Sequence, residues 1–333
     1  MKVLHMGVAG NLQKYCGNDE YLSQIEIVDM PGDLTDEEYL AVAADADVIV
    51  VDAVSAVAGS LMEQMPSLKM VHSEGVAYNK IDVDAATKLG VYVCNSQGMN
   101  ASAVAEQAVL LMLGMLRNVV ANHEAVLAGH QIENKVAYIK GGNLTELADC
   151  AVGLVGFGDI ARKTAALLRA FGCKAVYYNK RTPLSAKEEE ELGVEFRELD
   201  DLLAQSDIVS LHVPVSAETT RMANAEFFSK MKTDSYLVNT ARGEVVDDEA
   251  LAAALASGKL AMAGLDTLSN EPVQPSHPLL NQPPEVANKL LFSPHIGGIT
   301  RSSFARGFAM TLEDIKTIDA GGRPTRTVNA VEG

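Results

Sequence analysis

The stretch AVGLVGFGDIARKTAALLRAFG, residues 151–172, constrains the fold more than any other part of the chain. A short apolar run, a glycine-rich turn and a helical pattern follow one another, which is the order of a β-strand, a loop and an α-helix. Gly156 permits a tight turn, Gly158 lets a phosphate approach the backbone, and Ala161 allows close helix–sheet packing. The free N–H groups of a helix that begins near Asp159 favour an anion. The segment therefore predicts a loop that binds the diphosphate of a dinucleotide.

Short apolar runs alternate with helical patterns along the whole chain, which is typical of α/β proteins with parallel sheets. A second series of strands begins at about residue 151 and ends with the run KLLFSP. We therefore expect two Rossmann or flavodoxin-like, doubly wound parallel-sheet domains with a cleft between them. The five strands expected in the first domain lie near residues 2–8, 25–29, 47–52, 69–72 and 91–94.

Two helices mark the domain boundaries. A helix predicted over roughly 102–118 is apolar nearly all round, which favours a domain junction or a subunit interface. A final helix, about 300–319, precedes a coil that can return to the first series of strands. The expected organisation is a discontinuous substrate domain, 1–100 plus 299–333, and an inserted NAD(P)-binding domain, 101–298.

Charge and cysteine usage limit the partners and the compartment. The net charge of −17 disfavours nucleic acid and anionic membranes as partners, and no apolar run reaches membrane-spanning length. The four cysteines lack CxxC spacing and have no histidine at metal-ligand spacing, so no metal site is expected. Reduced cysteines indicate a cytoplasmic protein, and the triplet Asn143-Leu-Thr is then a chance match to the glycosylation pattern.

The segment VYYNKRTP, residues 176–183, ends the strand that follows the glycine-rich helix. Such a strand usually ends on an acid that binds the ribose hydroxyls of NAD. Here Asn179 is followed by Lys180, Arg181 and Thr182. A guanidinium can bind the 2′-phosphate of NADP, which a carboxylate would repel. NADP(H) is therefore the expected preference, with NAD(H) as the alternative if both cations are solvated loop charges.

Several segments resemble the D-isomer-specific 2-hydroxy acid dehydrogenases, and glyoxylate and hydroxypyruvate reductases in particular. The resemblance covers nearly the whole chain and implies hydride transfer to a small 2-oxo acid such as glyoxylate or hydroxypyruvate. It also implies a homodimer. The segments are, in the order of the family, GVAYNKIDVDAATKLGVYVCNSQGMNASAVAEQAVLLML, VGLVGFGDIARKTAALLRAFG, SDIVSLHVPVSAETT, MKTDSYLVNTARGEVVDDEAL, GLDTLSNEP and SPHIGG.

Three residues are expected to be catalytic. His295 follows the strand KLLFSP, at the edge where ligands bind in open α/β sheets. The resemblance pairs it with Glu271, whose carboxylate favours the protonated ring. His295 can then donate a proton to the substrate carbonyl oxygen as hydride arrives at the carbon. Arg242 follows the strand SYLVNT and can bind the substrate carboxylate and carbonyl oxygen through its two-pronged guanidinium.

The motifs and the resemblance together imply further contacts. Ala77 stands where the family often has Gly, and Gln107 where it often has His. Without the resemblance, Asp266 would be a helix cap or a solvated acid, and Thr219 would be a helix cap. Substrate contacts are expected for Val76, Ala77, Asn100, Arg242 and His295. Cofactor contacts are expected for Gly156, Phe157, Gly158, Asp159, Ile160, Asn179, Lys180, Arg181, Thr182, His212, Val213, Pro214, Thr219, Thr240, Ala241, Arg242, Asp266, His295 and Gly297.

The sequence leaves alternatives open within and outside this activity. A D-lactate-type or phosphoglycerate-type dehydrogenase has the same motifs with another substrate. A dinucleotide-responsive, corepressor-like binding protein would keep the fold without turnover, but Arg242, Glu271 and His295 are all present. A formate-oxidising relative pairs the histidine with Gln, so Glu271 argues against it.

Overall fold

The computed structural model describes residues 1–142 and 144–331, so the Asn143 triplet is not fully within the described residues. The chain divides into two compact units. Unit 1 comprises Met1–Asn100 and Ile299–Gly333, and unit 2 comprises Ala101–Gly298. Each unit contains a parallel β-sheet with helices between its strands, which confirms the expected fold class.

Unit 1 is built on a five-stranded sheet with the order β2-β1-β3-β4-β5, the flavodoxin-like order. Its strands are β1 (Lys2–Met6), β2 (Glu26–Met30), β3 (Val48–Val51), β4 (Met70–Ser73) and β5 (Tyr92–Asn95). Its helices are α1 (Asn11–Cys16), α2 (Asp36–Ala43), α3 (Gly59–Met62), α4 (Val83–Lys88) and α14 (Arg301–Asp319), with a 3-10 helix at Glu20–Gln24.

Local sequence accounts for several of these elements. Helix α2 begins with a capping box, in which the Thr35 hydroxyl accepts from the Glu38 N–H at 3.3 Å and Glu38 accepts from the Thr35 N–H at 2.9 Å. Strand β3 reads VIVV and is fully buried, as a strand covered on both faces must be. The coil after α14 returns to the sheet, where the Val328 N–H donates to the Val93 carbonyl at 2.8 Å. The discontinuous unit is thus closed by main-chain pairing.

Unit 2 is built on a seven-stranded parallel sheet with the order β12-β11-β10-β9-β6-β7-β8. Its strands are β6 (Ala151–Val155), β7 (Ala175–Asn179), β8 (Glu195–Phe196), β9 (Ile208–Leu211), β10 (Ser235–Asn239), β11 (Leu260–Leu265) and β12 (Leu290–Phe292). Its helices are α5 (Ala101–Leu116), α6 (Val119–Leu127), α7 (Gln131–Gly141), α8 (Asp159–Ala170), α9 (Ala186–Leu192), α10 (Leu199–Gln205), α11 (Ala225–Lys230), α12 (Asp248–Ala256) and α13 (Pro284–Ala287).

The strand order of unit 2 fixes where a ligand can bind. Strand β6 lies between β7 and β9. The chain continues from β6 to β7 on one side and returns after β8 to β9 on the other side, so the strand order reverses at β6. Ligands of open α/β sheets bind at the carboxyl ends of the strands beside such a switch point. The glycine-rich turn after β6 lies at this position.

Helix α5 confirms the prediction of a helix buried on more than one side. Ten of its sixteen residues are buried. Within the described residues no single helix has the length and apolar content needed to cross a membrane. Helices α5 and α6 taken together, across a bend of 56°, are the only pair in the described part of the chain that reaches those values by length and composition.

Candidate functional site

The turn after β6 has the geometry that a diphosphate requires. Gly156 has φ of +90°, and a Cβ built on it would lie 2.6 Å from the carbonyl oxygen of His212. A Cβ on Gly158 would meet nothing within 4 Å, and Gly158 caps α8 without a side-chain hydrogen bond. Ala161 is fully buried against the sheet. The loop therefore leaves open space beside the free N–H groups of a helix N-terminus, which fits a dinucleotide diphosphate.

The remaining residues of this loop divide between core and surface. The Phe157 side chain is buried against Tyr178, with ring centroids 4.5 Å apart, so only its backbone can face a cofactor. Asp159 and Ile160 form the first turn of α8, where Asp159 is exposed. We therefore expect Phe157 to contact a cofactor through its backbone, and Asp159 and Ile160 to contact it from the first turn of α8.

The end of β7 carries the predicted cations. The carbonyl of Asn179 accepts from the Gly156 N–H at 3.0 Å, so the strand end adjoins the glycine-rich turn. The Asn179 side chain donates to the Arg197 carbonyl at 3.0 Å. Arg181 pairs with Glu218 at 2.6 Å, and the two side chains are 83% and 75% exposed. An exposed pair of this kind contributes about 0–1 kcal/mol, so an anionic ligand can replace Glu218 as the partner of Arg181.

The segment after β9 forms a turn beside the glycine loop. The Thr219 hydroxyl donates to the Pro214 carbonyl at 2.6 Å and accepts from the Ser216 N–H at 2.8 Å. The prediction of Thr219 as a possible helix cap is therefore wrong, because this hydroxyl closes a turn and the next helix, α11, is capped by Asn224. Val213 is partly exposed in the same turn.

His212 lies at the carboxyl end of β9 and its Nε2 is 2.9 Å from the Ser210 hydroxyl. The residue is partly buried, and desolvation by the surrounding protein lowers the pKa of His212 to about 4. The imidazole beside the glycine loop is therefore neutral at physiological pH.

Three adjacent strands carry the predicted catalytic residues. Arg242 follows β10, Glu271 follows β11 and His295 follows β12. Because these strands are parallel neighbours, their carboxyl ends lie at one edge of the sheet. His295 Nδ1 is 2.5 Å from Glu271 Oε2, and the two side chains are 44% and 34% exposed. The pair leaves the histidine Nε2 as the nitrogen that can face a ligand.

Arg242 is held by a residue that the sequence analysis did not select. Asn239, fully buried at the end of β10, donates to the Arg242 carbonyl at 2.8 Å and accepts from the Ala241 N–H at 3.0 Å. The Arg242 side chain is exposed, and its Nη1 donates to the Ala241 carbonyl at 2.7 Å. A polar residue at the last position of a buried strand, directly before TARG, is the signal that could have identified Asn239.

Asp266 is neither a helix cap nor a solvated acid. It is 3% exposed, and its carboxylate accepts from the N–H groups of Ile296 at 3.1 Å and Gly297 at 2.9 Å. It also accepts from the Ser293 hydroxyl at 2.5 Å, and Ser293 in turn accepts from Gln107 at 2.8 Å. Asp266 therefore fixes the loop that carries His295.

Two buried hydroxyls at the ends of β10 and β11, those of Thr240 and Thr267, have no hydrogen-bond partner among the described residues. Thr240, directly before Ala241 and Arg242, is 6% exposed, and its Oγ1 lacks a hydrogen bond within residues 1–142 and 144–331. A buried hydroxyl without a partner costs roughly 1–3 kcal/mol, which a polar ligand would recover. The residue type therefore fits the predicted cofactor contact.

The predicted substrate loop lies in unit 1, directly after β4. Asn95 donates to the Val76 carbonyl at 2.7 Å, and Ser73 donates to the Ala77 carbonyl at 2.6 Å. Ala77 does not have a positive φ, so replacing the glycine that the family often has there causes no left-handed strain. Asn100 is partly exposed at the end of the first segment of unit 1.

A buried ionic cluster adjoins this loop. His5 is fully buried, and its ring nitrogens bond to the carboxylates of Asp29 and of Glu74, the latter at 2.5 Å. Burial alone would lower the pKa of His5, but the hydrogen bonds of Glu74 and Asp29 raise it above its ordinary value. His5 therefore holds Glu74, one residue before Gly75 of the loop.

The glycine-rich turn at the switch point and the histidine–carboxylate pair at the same sheet edge define the class of the protein, a dinucleotide-dependent oxidoreductase. Residues 109–297 match the NAD-binding domain of the D-isomer specific 2-hydroxyacid dehydrogenases. The chain therefore belongs to the D-isomer specific 2-hydroxyacid dehydrogenase family. It is an oxidoreductase that acts on CH–OH donors and binds a nicotinamide dinucleotide.

Individual relatives agree with this assignment. The chain is 35% identical to the glyoxylate reductase of Thermofilum pendens, over 88% of this chain and 84% of that protein. It is 36% identical to the hydroxypyruvate reductase of Thermotoga maritima, over 82% of this chain and 85% of that protein. The structure of an NADPH-dependent glyoxylate/hydroxypyruvate reductase from Sinorhizobium meliloti matches with a TM-score of 0.79 and 26% identity, over 98% and 97% of the two chains. These relatives favour an enzyme over a corepressor-like binding protein.

Proposed function

We propose that this protein reduces a short 2-oxo acid, with glyoxylate or hydroxypyruvate as the leading substrate, to the D-2-hydroxy acid. The observation that carries the proposal is the 2.5 Å pair of His295 and Glu271 at the carboxyl end of β12. The names of the relatives, glyoxylate reductase and hydroxypyruvate reductase, support the substrate. Unit 2 is proposed to bind the cofactor and unit 1 to bind the substrate.

Each catalytic residue has a distinct role in this proposal. Arg242 binds the substrate carboxylate and carbonyl oxygen, which orients and polarises the carbonyl. Glu271 holds the imidazole through Nδ1, so that Nε2 of His295 faces the substrate and donates the proton to the carbonyl oxygen. A bound reduced nicotinamide would supply the hydride. The proposed cofactor contacts are the loop 156–160, the strand end 179–182, the turn residues 212–214 and 219, and residues 240–242, 266, 295 and 297.

The loop at Val76 and Ala77 is proposed to bind the substrate carboxylate. Both of their carbonyls accept hydrogen bonds within unit 1, as does that of Gly75 from the Ser96 N–H at 2.9 Å. In the described part of the chain the N–H groups of Val76 and Ala77 have no protein acceptor. Successive free main-chain N–H groups form an anion site, which supports this role.

NADP(H) is the proposed preference, with NAD(H) as the alternative cofactor. Replacing Arg181 with Ala should raise the KM for NADPH about 10–100-fold, because one charge-assisted hydrogen bond of about 1.5–3 kcal/mol is lost. The KM for NADH should change less than about twofold, since NADH has no 2′-phosphate. Steady-state kinetics with both cofactors measures the difference.

The neighbouring Glu218 provides a matched control for Arg181. Glu218→Gln removes the carboxylate that pairs with Arg181 at 2.6 Å and leaves the guanidinium in place. This variant should not raise the KM for NADPH. Equal effects of Arg181→Ala on both cofactors would show that Arg181 is a solvated loop charge.

The proposed reaction is tested by the absorbance of reduced nicotinamide at about 340 nm during assays with a panel of 2-oxo acids. The panel contains glyoxylate, hydroxypyruvate, pyruvate, phosphohydroxypyruvate and a longer branched 2-oxo acid. The highest kcat/KM is expected for glyoxylate or hydroxypyruvate. A maximum at pyruvate or phosphohydroxypyruvate would assign the protein to the D-lactate or phosphoglycerate type, and no oxidation with any acid would overturn the proposal.

A homodimer is also proposed, with α6 and α7 at the interface. Neither helix has a buried residue, although both carry large apolar side chains. Leu127, Ile132 and Ile139 are 75%, 61% and 71% exposed. A monomer rarely exposes so many neighbouring apolar groups, and a second copy of the chain would cover them.

The dimer is expected to depend on these side chains. Light scattering after size exclusion should give twice the 35.4 kDa mass of the chain for the wild type and the monomer mass for Leu127→Glu with Ile139→Glu. Lys140→Glu, an exposed polar change on α7, should remain dimeric. A wild-type mass of one chain would rule out the dimer.

A cytoplasmic location is proposed as well. All four cysteines are free thiols, three of them buried. Burial raises the pKa of Cys150 and of Cys173 to about 11, which keeps both protonated and unreactive. Free, unreactive cysteines are typical of proteins from reducing compartments.

A further inference from the structure

The loops that carry Arg242 and Glu271 lie directly against each other. Gly243 is buried immediately after Arg242. A Cβ built on Gly243 would lie 1.9 Å from the carbonyl carbon of Leu268 and 2.1 Å from the nitrogen of Ser269. Only glycine lets the two backbones approach this closely. The segment after β10 and the segment after β11 therefore meet two to three residues before Glu271.

A cluster of polar side chains spans the same junction. Asp248, in the first turn of α12, follows the Arg242 loop, and the Ser269 hydroxyl donates to its Oδ2 at 2.5 Å. His277 Nε2 is 3.0 Å from the Ser269 hydroxyl and 3.2 Å from Asp248 Oδ2. His277 is 5% exposed, and the side chain of Asp248 is 13% exposed. A largely buried cluster of this kind is held in one arrangement because each lost bond leaves a desolvated polar atom.

The hydrogen bonds assign the protons in this cluster. The Leu279 N–H donates to His277 Nδ1 at 3.3 Å, so Nδ1 is an acceptor. The proton of a neutral ring is then on Nε2, which faces Ser269 and Asp248. The Ser269 O–H donates its hydrogen bond to the Asp248 carboxylate and not to the imidazole. Ser269 is therefore not a nucleophile activated by His277. The arrangement of Ser, His and Asp therefore serves to hold two loops together.

The cluster is connected to the proposed proton donor. The Leu268 N–H, one residue before Ser269, donates to Glu271 Oε1 at 3.0 Å. The other oxygen of Glu271 bonds to His295 Nδ1 at 2.5 Å. A shift of the backbone at Leu268 and Ser269 therefore moves the carboxylate that orients the imidazole.

We propose that Asp248, Ser269 and His277 are positioning residues, which hold the Glu271 segment against the Arg242 segment and so set the orientation of His295. We call this cluster the Asp–Ser–His clamp. The inference rests on the proposed function, because it acts through the pair of Glu271 and His295. A displacement of about 1 Å near reacting groups lowers rates by up to about 100-fold, so the clamp has a measurable effect on turnover.

The test is a double-mutant cycle between Ser269→Ala and Glu271→Ala, read as kcat and KM with glyoxylate or hydroxypyruvate, whichever the panel selects. Ser269→Ala should lower kcat about 10-fold or more in the wild-type background. It should change kcat less than about twofold in the Glu271→Ala background, where the side chain that connects Leu268 to His295 is absent. The KM for NADPH should stay within about twofold in every variant, since the proposed contacts to its diphosphate and its 2′-phosphate lie after β6 and β7, away from the clamp.

Two further variants separate positioning from a general loss of stability. Ser269→Thr keeps the hydroxyl and should recover most of the wild-type kcat. Ser229→Ala removes an exposed hydroxyl that bonds to the Glu226 carbonyl at 2.6 Å, and it should behave as wild type. Melting temperatures report whether Ser269→Ala is folded, and Asp248→Asn takes its place in the cycle if it is not.

The outcomes distinguish the clamp from the proposed function. Equal losses from Ser269→Ala in both backgrounds, or a wild-type kcat for the folded single variant, would overturn the clamp and leave the proposed function intact. A wild-type kcat and pH profile for Glu271→Ala would overturn the proposed role of the pair, and the clamp with it.

Discussion

Replacing His295 with Asn is expected to lower kcat more than about 100-fold, within the range for loss of a general acid–base group. Asn keeps a hydrogen-bonding side chain of similar size but cannot donate and recover a proton at neutral pH. The KM for NADPH should change little, because the proposed diphosphate and phosphate contacts lie after β6 and β7. Initial rates of NADPH oxidation measure the effect.

The control for this variant is His130→Asn, the same substitution at an exposed histidine between α6 and α7. It should retain wild-type kcat. The Glu271→Ala enzyme should also lose activity, because the imidazole loses the carboxylate that bonds to its Nδ1 at 2.5 Å and orients it. Near-normal turnover by His295→Asn would remove His295 from the proposed mechanism.

Replacing Arg242 with Ala is expected to lower kcat/KM for the 2-oxo acid by roughly 10²–10⁴-fold. The variant loses two charge-assisted hydrogen bonds between the guanidinium and the substrate, of about 1.5–3 kcal/mol each. The exposed guanidinium of Arg242 has its Nη1 bonded to the Ala241 carbonyl, so most of its donors are available for a substrate. Steady-state kinetics over a range of 2-oxo acid concentrations measures the change.

Arg242→Lys separates charge from geometry. Lysine keeps the positive charge but lacks the planar, two-pronged donor group, so an intermediate loss is expected. Both variants should have melting temperatures close to that of the wild type. Asn239 bonds to the backbone of this segment and not to the Arg242 guanidinium, so these bonds remain in both variants. A lysine enzyme with wild-type kcat/KM would show that charge alone is required.

Much of the fold follows from local sequence. The strand, turn and helix around Gly156 were predictable because each of these elements requires particular residue types nearby in the sequence. The turn, for example, requires glycine at position 156, where φ is +90°. The buried helix α5 was predictable because its apolar residues leave no polar face. The returning coil after α14 was expected from the order of the elements, and the Val328–Val93 hydrogen bond agrees with it.

The parts that were not predicted depend on contacts between distant segments. Nothing near Asp266 in the sequence shows that its carboxylate binds the N–H groups of Ile296 and Gly297, thirty or more residues later. The role of Thr219 was misassigned because its two partners are set by a turn and not by a helix. The two-residue strand β8 is too short to give a periodic pattern.

The desolvated ring of His212 has a consequence for how titration curves of this enzyme should be interpreted. Its pKa falls from 6.5 to about 4, so the unfolded chain takes up this proton at a higher pH than the native protein does. Acidification from about pH 6.5 to about pH 4 therefore lowers the free energy of unfolding, whereas between about pH 6.5 and 9 the native imidazole stays neutral. Any inflection of the rate between those two pH values must then come from another ionisable group.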